Sequence, residues 1–313
     1  MLLVVLFHTR YINAQVTINP STANFTINNK SLYTNGTSLS YANQISSSSS
    51  LSVVGTTTLA VSAASNFVNS ANGKTIPASD VTINVTSSTQ GGLALTNPTY
   101  TPVVLTVNSS KQLMSATTLL AGGAVTASLQ YTLKGETDLL TASGTYTTTL
   151  TYALTVPALL GSNTYTGTMT LNIVISPAGT ISIQNGGGTS TLTFSTVQNY
   201  VNGVSLTQTI ALNVFGTPSY TVSVQASGNL KNGSNFIGIG NIHLTPAANP
   251  TAAGISASSV LLSQSNQNII TSTVPTLSQD FDLKYFTQAA NTSFLTQTTG
   301  TYTTTLTYTI TAP

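Results

Sequence analysis

Cysteine and tryptophan are absent from this 313-residue chain, and charged residues make up only 4% of it, against about 25% in an ordinary globular domain. Without cysteine there is no disulfide framework, no thiolate metal site and no cysteine nucleophile. Seven Lys and Arg against five Asp and Glu leave a net charge of +2, which creates little long-range field. Scattered singly, these cations do not form the basic footprint that nucleic acid requires. No apolar run reaches the roughly 18–20 residues of a membrane-spanning helix. Histidine is scarce too: His8 lies in the first apolar stretch, which leaves His243 as the one imidazole of the body of the chain. One imidazole without cysteine cannot complete an ordinary zinc site or supply the base of a conventional serine triad.

Thr is abundant, with 59 copies, and Ser and Asn are frequent. Such a surface is solvated by hydroxyls and amides instead of ions. Leu, Val, Ile, Phe and Tyr recur at spacing two in many short runs bounded by Gly, Pro, Asn and Ser. This is the period of half-buried strands. The expected fold class is therefore all-β.

The text also repeats. Gly-Thr-Tyr-Thr-Thr-Thr-Leu-Thr-Tyr stands at 144–152 and again at 300–308. A near-verbatim segment closing each half indicates a tandem duplication. Upstream, residues 51–61 pair with 212–222, setting Gly55 against Gly216 and Val61 against Val222. Residues 81–83 correspond to 242–244, and 129–133 to 281–285. Each copy is long enough for its own core, so the expectation is two tandem antiparallel β-sandwiches of Ig-like or pilin-like type, spanning 15–177 and 178–313. Residues 1–14 read as a secretory signal cleaved after Ala14; a buried first strand is the alternative.

The copies differ at their ends. After the first closing strand, residues 164–175 alternate Met169, Leu171, Ile173 and Ile175, and are expected to form a hairpin with 145–156. The second copy has no such follower. Either 301–311 or a strand over 16–28 is thus a candidate for pairing with another chain, because open strand edges invite it. An edge protected inside the sandwich is the duller possibility.

Chemistry-bearing residues are few. His243, between Ile242 and Leu244, is expected on the solvent face of a strand. Asp280 and Asp282 share a strand face with Lys284; two carboxylates so spaced suit a glycosidase pair or calcium, but a solvated stripe balanced by Lys284 is the simpler reading. Lys134, Glu136 and Asp138 read as a solubilising loop, with a calcium site as the lesser alternative, and Asp80 is the fifth carboxylate. Gly186–Gly188 and Gly238–Gly240 open no helix and are read as turns or bulges, not phosphate loops. Tyr146, Tyr152, Tyr302 and Tyr308 are expected to pack in the core or across strands rather than stack on sugars. Seven Asn-x-Ser/Thr sequons occur, Asn24, Asn84, Asn232 and Asn291 among them. No Gly-x-Ser-x-Gly elbow is present. No catalytic residue, cofactor or metal site is assigned.

The repeated closing motif resembles the last strand of spore coat protein U-like domains of bacterial pilins and tip adhesins, and the end of WxL cell-surface domains. Residues 220–233 with 242–244 are similar to the middle of the WxL domain. The resemblance implies secreted β-sandwiches serving in surface filaments, adhesion or envelope attachment. Tyr152-Ala-Leu154 and Tyr308-Thr-Ile310 stand where the WxL pattern has Trp-x-Leu, so peptidoglycan attachment is not carried over. The absence of cysteine likewise departs from many pilin domains. The expectation is an extracellular, non-enzymatic surface protein: a filament subunit or adhesin that associates with itself or with other surface proteins, with no nucleic acid and no membrane span. A carbohydrate- or cell-envelope-binding module is the alternative.

Overall fold

The computed structural model describes residues 16–47, 54–118, 123–158, 161–217 and 219–312. The expected signal segment 1–14 and the first residues of the 51–61 run lie outside them. The described chain is all-β, and its strands form two compact units. The first holds 16–27, Asn35–Asp138 and Gly144–Ile175; the second holds Asn28–Thr34, Leu139–Ser143 and the chain from Ser176 onward.

In the first unit one sheet runs, in spatial order, Val16–Ile18, Thr37–Ser47, Val125–Leu133, Val81–Gln90 and Val103–Val104. The other runs Thr22–Ile27, Gly161–Ile175, Gly144–Ala158, Gly55–Ala63, Lys111–Thr118 and Thr96–Tyr100. Alternation sets the inward face: Phe25, Ile83, Leu129, Tyr146, Leu150 and Leu171 are all fully buried. Burying such a side chain stabilises the fold by roughly 1.5–3 kcal/mol each.

The expected strand over 16–28 is in fact two strands, divided between the sheets. Pro20 has no N–H to give to a ladder, and the chain crosses over there. Val16–Ile18 pairs antiparallel with Thr37–Ser47, while Thr22–Ile27 pairs in parallel with Gly161–Ile175.

In the second unit the sheets run Ala178–Ile183, Ser205–Thr217, Thr276–Phe286, His243–Asn249 and Val260–Leu261, and Ile255–Ala257, Gln267–Ser272, Tyr220–Ala226 and Leu306–Thr311. A single core joins them, with Leu212, Val222, Val224, Leu244, Ile270, Phe281 and Leu283 at its centre.

The duplication is visible in the hydrogen bonds as well as in the text. Asn66 Oδ1 accepts from Ala78 N, and Asn229 Oδ1 from Ile239 N. Thr148 Oγ1 donates to Ser65 O, and Thr304 Oγ1 to Gly228 O. A hydroxyl pair joins the two sheets of each unit: Tyr131 and Tyr152 at 2.8 Å, Tyr285 and Tyr308 at 2.7 Å.

These pairs correct the alignment read from the text. Val61 lies opposite Tyr152 and Val224 opposite Tyr308, so Val61 matches Val224, two residues beyond Val222. The cause is local: the Asn-to-backbone contact spans 12 residues in the first unit and 10 in the second. A two-residue shortening there restores the pairing of 81–83 with 242–244. Tyr131, opposite Ile83, likewise matches Tyr285, opposite Leu244, which moves the 129–133 pairing by two. A shift of two leaves every side chain on its own face, so the pattern alone could not detect it.

Candidate functional site

The chemistry-bearing side chains are taken up by the fold. The Thr37–Ser47 strand bulges at Asn43 and its counterpart bulges at Ile210, both with positive φ, 49° and 51°. In the first unit the freed Asn43 N–H is bound by Ser128 Oγ at 2.9 Å. In the second the Ile210 N–H is bound by Asp282 Oδ1 at 2.8 Å. Asp282 occupies the Ser128 position of the duplicate, and it also accepts from Asn249 Nδ2 at 3.0 Å. Asp280 accepts from Asn213 Nδ2 at 2.7 Å. The two carboxylates are half-buried and bonded to backbone and amides, which corrects the expected solvated stripe. Lys284 extends over the Phe286 ring, 5.5 Å from its centroid. His243 stacks on the same ring at 4.5 Å and is half-exposed, with Leu244 buried beside it.

Asp80, Glu136 and Asp138 bring carboxylate oxygens within 4.8 Å of one another. The Lys134 ammonium bridges two of them, at 3.1 Å from Asp80 and 2.7 Å from Glu136. Asp80 is buried, and burial pushes its carboxyl above the usual range although the Lys134 contact pulls the other way. The stretch read as a solubilising loop is thus an ion-paired corner built against Asp80. Gly186 makes a turn at φ 79°, and Gly238 precedes a 3-10 turn, Ile239–Asn241.

Tyr146 and Tyr152 are core residues. The Tyr131 hydroxyl donates to Gln44 Oε1 and accepts from the Tyr152 hydroxyl. Burial holds all four phenols of the two cross-sheet pairs above the ordinary tyrosine range. Tyr302 and Tyr308, with the same neighbours in sequence, are only half-buried.

That contrast locates the site. The first closing strand runs fifteen residues, Gly144–Ala158, between two antiparallel neighbours: Gly55–Ala63 on one side and the whole of Gly161–Ile175 on the other. The second runs six residues, Leu306–Thr311, and among the described residues pairs only with Tyr220–Ala226. Before Leu306 the repeated text makes a single bridge among the described residues, Thr303 with Lys231, so the expected strand over 301–311 is shortened at its start. Leu150, Tyr152 and Leu154 are buried, whereas Leu306, Tyr308 and Ile310 are half-exposed.

Two other segments carry the same mark. Ile18 and Ile183 pair with the matching residues Ile45 and Leu212; Ile18 is 9% exposed and Ile183 51%. Residues 190–194 hold the chain position of Thr22–Ile27: each precedes a six-residue helix, Val197–Asn202 or Lys30–Asn35, by the same short link. Thr22–Ile27 is a strand whose sole ladder partner among the described residues is Gly161–Ile175. Residues 190–194 set Leu192 and Phe194 against the core yet join no sheet. The Tyr308 hydroxyl bonds the Tyr285 hydroxyl at 2.7 Å, and the Ser190 side chain lies beside them. An alternating segment with no ladder partner, a half-covered closing strand and a bare isoleucine all border the position that Gly161–Ile175 fills in the first unit. Sequence reading marked 301–311 as one candidate for pairing with another chain, beside the alternative of a protected edge. It missed Ile183 and 190–194, whose signal is legible only once the two units are aligned by their ladders.

No protein-family model matches the chain, and no curated protein matches it; the likeness to coat protein U-like and WxL domains finds no family match. Among solved structures it is similar to the CsuC–CsuE chaperone–tip adhesion subunit pre-assembly complex from the archaic chaperone-usher Csu pili of Acinetobacter baumannii. That match has 14% identity and a TM-score of 0.43, over 94% of this chain and 99% of that one. The CupB6 tip adhesin of Pseudomonas aeruginosa matches at 10% identity and a TM-score of 0.37, over 96% and 93%. The CooA pilin subunit of enterotoxigenic Escherichia coli matches at 13% and 0.27, over 52% of this chain and 99% of that one.

Proposed function

We propose that this chain is an extracellular, non-enzymatic surface protein, a filament subunit or adhesin, which joins another polypeptide by strand addition at the outer edge of Leu306–Thr311. The single observation that supports this reading is the contrast between the duplicates. One text is buried between two strands in the first unit and half-covered beside one strand in the second. Backbone groups along an open edge bring affinity, and alternate side chains bring specificity. The three half-covered side chains Leu306, Tyr308 and Ile310 supply a driving force of a few kcal/mol for a covering strand, at roughly 1.5–3 kcal/mol for each one fully buried.

The chemistry of the chain supports the absence of a catalytic role. Its few carboxylates serve a bulge, an amide and a lysine, and a sparsely charged, Thr-rich surface suits contact outside the cell. The test is assembly. Purified protein imaged by electron microscopy is expected to form polymers or partner complexes, and removal of residues 301–313 is expected to abolish them. Unchanged assembly after that removal would refute the proposal.

A further inference from the structure

Asn213 carries a buried amide, 7% exposed, on the strand Ser205–Thr217. Its hydrogen bonds fix which way the amide points. Both Nδ2 hydrogens are taken, by Ser278 Oγ and by Asp280 Oδ1, each at 2.7 Å. Oδ1 is left for Lys30, whose Nζ donates to it at 3.2 Å. Lys30 is brought there by an anchored element. It opens the helix Lys30–Asn35, where Tyr33 is fully buried. The Tyr33 ring lies 5.5 Å from that of Phe215, and its hydroxyl donates to Ser176 O at 2.8 Å. Residues three apart share a helix face and residues two apart share a strand face, so Tyr33 over Phe215 sets Lys30 over Asn213. In the first unit the same ladder places hold Ser46 opposite Thr126, side chains with neither a carbonyl nor a charge.

A primary amine, a side-chain amide and a carboxylate in contact in that order are the parts of an acyl transfer. We propose that Lys30 and Asn213 become joined by an isopeptide bond that the folded chain makes on itself. Nζ, as the free amine, attacks Asn213 Cγ. The attacking nitrogen and Nδ2 then share one carbon, which puts both within reach of the Asp280 carboxylate. Asp280 takes the proton that Nζ sheds and passes it to Nδ2. The Cγ–Nδ2 bond breaks, ammonia leaves, and the Nζ–Cγ amide remains. Nothing is oxidised or reduced, and no co-reactant is consumed. The held geometry replaces a chance encounter, and burial of the amide keeps water from competing as the nucleophile. Each molecule reacts once, so this is a maturation step and not turnover. The product closes residues 30–213 into a covalent loop that neither denaturant nor reductant opens.

Intact-mass spectrometry of the purified chain tests the proposal directly. The protein is expected to weigh about 17 Da less than its own termini require, the mass of the ammonia lost to the lysine nucleophile. Proteolysis should then release one branched peptide joining Lys30 to Asn213. Lys30→Arg and Asn213→Ser, the latter matching Ser46, should each restore the full mass, and Asp280→Asn should leave most molecules unjoined. A parent protein of full mass overturns the proposal. So does a mass loss that persists in Lys30→Arg without a branched peptide, which marks a cyclised asparagine instead. Complete joining in Asp280→Asn refutes the role given to that carboxylate.

Discussion

At the scale of single residues, the ionisable side chains serve the architecture. Asp282 does for the second unit what Ser128 does for the first, holding an N–H that a bulge has freed from the ladder. Asp282→Ala is expected to destabilise the second unit by about 1–3 kcal/mol, because a partly buried donor loses its partner. Asp282→Ser should recover part of that loss; chemical unfolding of the three proteins checks both. Asp80 gives a pH dependence of definite sign. Burial raises its carboxyl above the ordinary 3.8, so the folded state holds the proton more tightly than the unfolded one. Its contribution to stability is full below the unfolded value and is lost as pH rises through the folded value. Melting temperatures followed upward from pH 3.5 should therefore fall less steeply in Asp80→Asn than in the parent protein.

At the scale of elements, one sequence takes two forms. Gly-Thr-Tyr-Thr-Thr-Thr-Leu-Thr-Tyr is strand from its first residue at Gly144, but at Gly300 it becomes continuous strand only from Leu306. A ladder on one side holds the last residues, and the early ones need the second neighbour. Amide exchange is the direct check. Leu306–Thr311 should exchange faster than Gly144–Ala158 by at least roughly tenfold, since exposed edge hydrogen bonds open at low cost. The reverse order would show the second closing strand to be covered. Residues 190–194 follow the same logic: Leu192 and Phe194 have strand alternation and core contacts, yet without a ladder partner the segment forms no strand.

At the scale of the whole molecule, two features were legible in advance for physical reasons. Spacing-two alternation with β-branched residues admits little but sheet, and a repeated closing motif implies repeated modules. Other features lay beyond the pattern. The division of 16–28 between two sheets turns on Pro20 and on which ladder each half joins. The work of Asp282 appears only when Ile210 is brought against it from a distant strand. The two-residue slips in the duplicate alignment preserve parity, so they are silent in hydrophobic pattern and visible only in register.

The amino-acid text alone therefore determined the sheet class, the duplication and the parity of each strand, because these depend on local period and on side-chain type. Tertiary structure decided which copies of that text are complete. Whether Tyr152 or Tyr308 is buried depends on a neighbour across the ladder: Gly161–Ile175 supplies it in the first unit, and no described strand supplies it in the second. Burial is a property of what packs against a residue, and identical residues carry no record of it.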